Sequence, residues 1–460
     1  MHARSVLNSI DTPEGLSYSR FRMIMQNHKG WQNYQRKLRR KELRQRFLKQ
    51  SLWSLPFLAV LILGGLFARV DLLSGLFGGI LQTQNQCEGK TIVASSILTK
   101  ENLKEILEPE VMLGNSGQKI GFNYAGSFFT LETTLNNGLQ HYMSEKIKHA
   151  RSPLIGFVAI EPSTGRILSL TESNNIEEQG EVCLGSQFPA ASVFKIVTAA
   201  AAIDRCNISA DTKLTYNGRR HTLYKNQLTD QTNRYTNSVS LKDSFAKSIN
   251  PAFGKLGIFY LKKNLLEEYA IRFGFNRQID FELPVQPSHI AVGNDPYHWA
   301  EIACGFNRQT LISPLHAAIM AATIVNDGKL VNPTIVDHVI DSRKESVYSN
   351  STDVVRQVIS SETCEQMKEL MSATISRGTS QRAFRGYRRD RVLSKLLIGG
   401  KTGSIKNRSN ELLYDWFVGF GIEKGGAKKL ALAVLVVHGK LLRARAQEYA
   451  RLALRYYFST

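Results

Sequence analysis

What the chain has little of narrows its reading first. Cysteine is scarce: five among 460 residues (Cys87, Cys183, Cys206, Cys304, Cys364), with no CxxC pair. That is too few for a disulfide-built scaffold and lacks the spacing of a zinc or redox motif. Cys183 and Cys206 flank one predicted helix. A helix of that length holds them farther apart than a disulfide reaches, unless the flanking strand folds back. Ten histidines show no HExxH and no clustered ligand spacing, so no catalytic metal and no cofactor are expected. No internal repeat or low-complexity tract is present, which excludes a repeat array. Acidic residues are outnumbered, 39 Asp and Glu against 59 Lys and Arg, for a net charge of +20.

Part of that excess sits near the N-terminus, where residues 29–49 hold nine Lys and Arg and a single Glu. Residues 52–68 then form an apolar run of 17, at the short end of what spans a bilayer. Positive charge before the run predicts a cytoplasmic N-terminus and a single pass through the inner (cytoplasmic) membrane, with the remainder extracytoplasmic. A cleaved signal peptide fits less well, because the preceding region is too long and no A-x-A pattern closes the run. The basic stretch alone would also suit a nucleic-acid patch, but its place directly before an apolar span argues against a nucleic-acid partner. The expected organisation is a basic tail (1–51), an anchor with an interfacial segment (52–81), a short linker or pedestal with a helix at 100–107 (82–125), and one large domain (126–460). A second basic stretch, residues 382–391, reads as a solvated face.

Three short strings carry the chemistry. Ser192-Val193-Phe194-Lys195 opens an Ala-rich helix behind Pro189. Residues i and i+3 share a helix face, so the Lys195 amine reaches the Ser192 hydroxyl. A serine hydroxyl needs a partner to take its proton, and a buried lysine held neutral can do so. In Ser248-Ile249-Asn250, a short helix is expected to stop before Pro251, leaving Ser248 and Asn250 on a loop. There a hydroxyl could relay a proton and an amide could hold a substrate carbonyl. Lys401-Thr402-Gly403-Ser404 follows an apolar run and reads as an edge strand. Gly403 would admit a substrate backbone, and Lys401, Thr402 and Ser404 would grip a carboxylate. Residues 415–421 and 430–438 continue as strands of a meander. Any one string alone is also what an ordinary helix or strand end would show.

In this order and context the strings resemble the transpeptidase domain of penicillin-binding proteins, in the penicilloyl-serine transferase superfamily. The resemblance runs from about residue 126 to the C-terminus. It includes the strand Phe129-Thr130-Leu131, the hairpin around Pro162 and Gly165, the segment Ser313-Pro314-Leu315-His316, and the pair Gly378-Thr379. It implies an α+β fold: a five-stranded antiparallel sheet flanked by helices, with a mostly helical subdomain between residues 209 and 357. It implies Ser192 as acylated nucleophile, Lys195 as base, Ser248 and Asn250 beside the cleft, and Lys401, Thr402 and Ser404 on the carboxylate. The N–H groups of Ser192 and Ser404 would form the oxyanion hole.

The implied activity is a serine D,D-transpeptidase that cross-links peptidoglycan stem peptides ending in D-Ala-D-Ala and is inhibited by β-lactams. The second and third strings lie about 150 residues apart, long for class A or D β-lactamases. Glu267, Glu268 and Glu301 lack the setting of a deacylating glutamate. A D,D-carboxypeptidase or endopeptidase remains an alternative, as does a β-lactam hydrolase or sensor. A non-catalytic wall-binding scaffold is a third, although it would have no need of all five reactive residues. No space remains for a glycosyltransferase domain, so a separate glycan polymerase is an expected partner.

Overall fold

The computed structural model describes residues 98–107, 119–176, 181–426 and 428–460. The basic tail, the apolar run at 52–81 and Cys87 lie outside these. Among the described residues no helix is long and apolar enough to cross a membrane.

The first elements come from the segment read as a linker. Helix α1 (Lys100–Ile106) starts at a Thr99/Asn102 capping box. Strand β1 (Lys119–Tyr124) pairs antiparallel with β2 (Ser127–Thr133), so the boundary drawn at 125/126 falls in the turn of one hairpin. Helix α2 (Asn137–Lys148) follows, then the hairpin β3 (Leu154–Ile160) and β4 (Ile167–Asn174). The two-residue strand β5 (Phe188–Pro189) leads through a 3₁₀ turn, Ala191–Phe194, into α3 (Lys195–Arg205).

A second group of elements lies between residues 213 and 357. It begins with the small hairpin β6 (Lys213–Tyr216) and β7 (Asn237–Ser240). Helices α4 (Leu241–Ala246), α5 (Asn250–Lys255), α6 (Lys262–Arg272) and α7 (Pro296–Cys304) follow. Strand β8 (Leu311–Ile312) pairs with β5 and precedes α8 (Pro314–Val325). From there the expectation of a mostly helical subdomain needs correction. Residues 329–357 are strands: β9 (Lys329–Val331), β10 (Val336–Asp341), β11 (Ser346–Ser349) and β12 (Val354–Gln357). Strand β10 pairs with β2, giving a four-stranded sheet β1-β2-β10-β11. The pairing that organises this segment is thus with residues more than 200 positions earlier, which local periodicity does not reveal.

The chain closes with α9 (Ser361–Arg377), β13 (Leu396–Lys406), β14 (Leu413–Glu423), β15 (Lys429–His438) and α10 (Ala446–Tyr457). The central sheet is five-stranded and antiparallel, in the order β13-β14-β15-β3-β4, as expected. It is covered on both faces, which is why residues 430–437 read as an uninterrupted apolar run rather than an alternation. Ala431, Ala433, Leu435 and Val437 pack into the core that contains α3 and α8. Leu430, Leu432, Val434 and Val436 pack with α2 and α10 on the other face. Strand β13 is left at the edge, with α9 and the 3₁₀ turn Ala191–Phe194 packed against it.

Candidate active site

The nucleophile turn is held from three sides. The Trp416 indole donates to the Pro189 carbonyl at 2.9 Å, and the Ala190 amide bonds the Thr310 carbonyl at 2.9 Å. The third support is Gly305, the left-handed residue that ends α7 (φ +69°). A Cβ there would lie 1.9 Å from the Ala191 carbonyl oxygen, so only glycine lets this helix end touch the turn. Ala191 itself has φ +48°, a conformation costing an alanine on the order of 1–2 kcal/mol. Such strain persists only where surrounding packing imposes it. Its effect is to place Ser192 half-exposed above a buried Lys195, with Lys195 Nζ 2.9 Å from Ser192 Oγ.

Lys195 has two further hydrogen-bond partners, Asn250 Oδ1 at 2.8 Å and the Cys304 carbonyl at 2.5 Å. The Asn250 amide is oriented by its other end, since Nδ2 donates to the His221 carbonyl at 3.1 Å. Both Oδ1 and the Cys304 carbonyl can only accept. A neutral amine has two N–H donors and one lone pair, so these acceptors use both donors and leave the lone pair facing Ser192. The three partners are uncharged, so the loss of hydration dominates, with Cys304 acting against it. Burial accordingly lowers the Lys195 pKa to about 8.

Lys401 is the second buried amine. It reaches Ser248 Oγ at 3.0 Å and the Thr402 carbonyl at 2.7 Å. Burial first, and then the charge of Lys195, push its pKa well below that of an ordinary lysine. Two ammonium groups in one buried site oppose each other, so the pair favours sharing fewer than two charges. Phe253 lies under Lys195 and Phe245 under Lys401, each ring centroid 5.5 Å away.

Of the two residues expected on a loop, Ser248 lies in one and Asn250 does not. Helix α4 ends at Ala246, and Ser248 is a left-handed residue (φ +54°) in the joint between helices. Asn250, however, is the first residue of α5, with Pro251 directly behind it. Proline does not end a helix here; it occupies a first-turn position, where its missing N–H costs nothing. The result places the Asn250 side chain on a rigid helix end rather than a loop.

On β13 Lys401 and Gly403 are buried, and Thr402 and Ser404 are the more exposed pair. The Thr402 hydroxyl lies 2.6 Å from that of Thr379, and the Thr379 amide bonds the Ala246 carbonyl at 3.0 Å. Gly378-Thr379 therefore ties the Ser248 joint to the edge strand. Gly403 also meets a demand from within the fold. A Cβ on it would meet Val193 Cγ2 at 3.1 Å and the Ala190 carbonyl at 3.3 Å, so the glycine clears the nucleophile turn.

Sequence reasoning did not single out the Cys304 carbonyl, Gly305 or His221. The first two come from the C-terminal end of α7, where a glycine in the αL cap position was the readable signal. The His221 pKa is lowered by burial and then by the charge of Lys195, opposed by its hydrogen bond to the Ser248 backbone. Glu267 and Glu268 lie on α6 and Glu301 on α7. Cys183, Cys206, Cys304 and Cys364 are free thiols, so the Cys183–Cys206 bridge does not form. Among the described residues no group of three or more His, Cys, Asp or Glu is gathered as a metal site.

A serine paired with a buried, proton-poor lysine beside an exposed edge strand is built for acyl transfer. Residues 155–455 match the penicillin binding protein transpeptidase domain family, and the chain belongs to that family. It is 24% identical over 382 residues to the peptidoglycan D,D-transpeptidase PbpA of Mycolicibacterium smegmatis, covering 72% of this chain and 73% of that protein. The D,D-transpeptidase domain of a peptidoglycan glycosyltransferase from Eggerthella lenta shares the fold, with a TM-score of 0.60 at 22% identity over 76% of this chain and 86% of that one. Penicillin-binding protein A of M. tuberculosis, solved as an imipenem acyl-enzyme complex, gives a TM-score of 0.58 at 23% identity over 71% and 79% of the two chains.

Proposed function

We propose that the chain is a serine D,D-transpeptidase acting on peptidoglycan stem peptides that end in D-Ala-D-Ala. Ser192 attacks the penultimate carbonyl while Lys195 takes its proton. The Ser192 and Ser404 N–H groups receive the developing oxyanion. Ser248, hydrogen-bonded to Lys401, passes a proton to the departing D-Ala amine. An amine of a neighbouring stem then takes the acyl group and frees Ser192. Thr402 and Ser404 hold the terminal carboxylate of the donor, and a β-lactam acylates the same serine in place of the dipeptide. The site works outside the cytoplasmic membrane, with residues 1–51 inside, 52–81 as anchor, and glycan strands supplied by a separate polymerase. The observation that carries the reading is the Lys195 amine, whose two acceptor-only partners leave its lone pair for Ser192.

The distinguishing experiment partitions the acyl-enzyme. An N-acyl-D-alanyl thioester is supplied as donor with a D-amino acid as acceptor, and amide product is compared with hydrolysed acid. Amide exceeding acid at millimolar acceptor is the expected result. Acid alone would move the assignment to a carboxypeptidase or hydrolase. No thiol release from folded protein would leave a scaffold.

A further inference from the structure

A second cation stands at the edge strand, on the side away from Lys401. Arg445 caps the start of α10 and reaches back to β13, where its Nη2 lies 3.3 Å from Ser404 Oγ. The guanidinium is clamped by Asp415, Nε to Oδ2 at 2.6 Å and Nη2 to Oδ1 at 2.9 Å. Asp415 is directly opposite Ser404 in the β13–β14 register and is nearly fully buried. It is also bonded by the Ala446 amide at 3.1 Å and faces His438 Nε2 at 3.4 Å. Burial, the largest single influence, raises the Asp415 pKa, but the bonds from His438, Arg445 and the Ala446 amide together outweigh it and hold the carboxyl below the usual carboxylate range. A fixed anion under Ser404 would repel an incoming carboxylate. Arg445 offsets it, and among the described residues its own Nη1 group makes no hydrogen bond, while about a third of the side chain is exposed.

We propose that Arg445 is a specificity-determining residue that makes the site require an acyl donor ending in a free carboxylate, with Asp415 positioning it. This rests on the carboxylate-gripping role given above to Thr402 and Ser404. A planar guanidinium already fixed along one edge by a carboxylate presents its remaining edge without further loss of rotamer freedom. Ser404, touching both Asp415 and Arg445, is held at the base of that edge.

The test uses two thioester donors that differ only at the leaving group, one ending in a carboxylate and one in the primary amide. In each, Ser192 Oγ bonds the acyl carbon, the C–S bond breaks, and the thiol departs with a proton, so thiol release reads both alike. Wild-type protein should favour the acid. Arg445→Gln should lower kcat/KM for the acid by about 10- to 100-fold, chiefly through KM, and change the amide by less than about threefold. Arg445→Lys, which keeps charge but not the fork, should fall between. Equal losses on both donors, with thermal melting unchanged, would overturn the proposal. If Arg445→Gln does not melt cooperatively, the acid-to-amide ratio of Arg445→Lys decides, and a wild-type ratio there overturns it. Failure of the transpeptidase reading is distinct: wild-type protein would then release thiol from neither donor, or would release it with hydrolysed acid and no amide as product.

Discussion

Lys195→Met should lower the rate of Ser192 acylation by about 10³-fold or more, while the protein still melts cooperatively. General-base assistance contributes roughly 10²–10⁴-fold where the base is positioned on its proton, and Lys195 sits 2.9 Å from Ser192 Oγ. Methionine fills a similar volume without an amine. It leaves two buried acceptors unpaired but also removes a buried, poorly hydrated amine, so stability has compensating terms. The wild-type pH profile follows from the same group. Below its pKa of about 8 the amine is protonated and cannot accept, so acylation should rise with pH, reach half its maximum near 8 and level off about one pH unit higher. At pH 7 about one site in ten is competent. A stopped-flow profile that is flat from pH 6 to 9, or a Lys195→Met enzyme of near-normal rate, would remove Lys195 from the base role.

Gly305→Ala should have the largest effect of any single methyl group. The new Cβ would stand 1.9 Å from the Ala191 carbonyl and 2.9 Å from the Ser192 amide nitrogen, both of them backbone atoms that cannot rotate away. The left-handed backbone at Gly305 adds its own cost of ~1–2 kcal/mol. Relief requires the nucleophile turn to shift, and a displacement of about 1 Å at a reacting atom costs on the order of 10²-fold in rate. Acylation is therefore expected to fall at least that far, with stability reduced by about 2–4 kcal/mol. Gly386 is the matched control. It is also left-handed, at φ +79°, but a Cβ there meets nothing within 4 Å. Gly386→Ala should lose only about 1 kcal/mol and keep its acylation rate. Equal behaviour of the two variants would show that the α7–turn contact does not position Ser192.

The parts of the site that the sequence made legible are those whose chemistry lies in side chains close together along the chain. Ser192 and Lys195 are a turn apart, and residues 396–406, 413–423 and 429–438 announce three consecutive strands by apolar content alone. What stayed hidden is contributed by backbone or by distant pairing. Any residue at position 304 would offer the same carbonyl to Lys195, so no residue type marks it. Gly305 matters because of a turn more than a hundred positions earlier. Arg445 gains its place at the edge strand only through Asp415, which lies opposite Ser404 in the β13–β14 register. Pro251 misled for a different reason, since one residue serves both to stop a helix and to start one. Strand β10 was missed because Val336-Asp337-His338-Val339-Ile340-Asp341 alternates only partly and finds its partner in β2.

The most direct test of the account is where a penicillin becomes attached. Purified protein is incubated with the drug, digested, and the adduct located by peptide mass, beside Ser192→Ala. The account predicts one intact drug mass on the peptide that carries Ser192, and none on any peptide of the variant. An adduct on a different residue, or its persistence in folded Ser192→Ala, would contradict it.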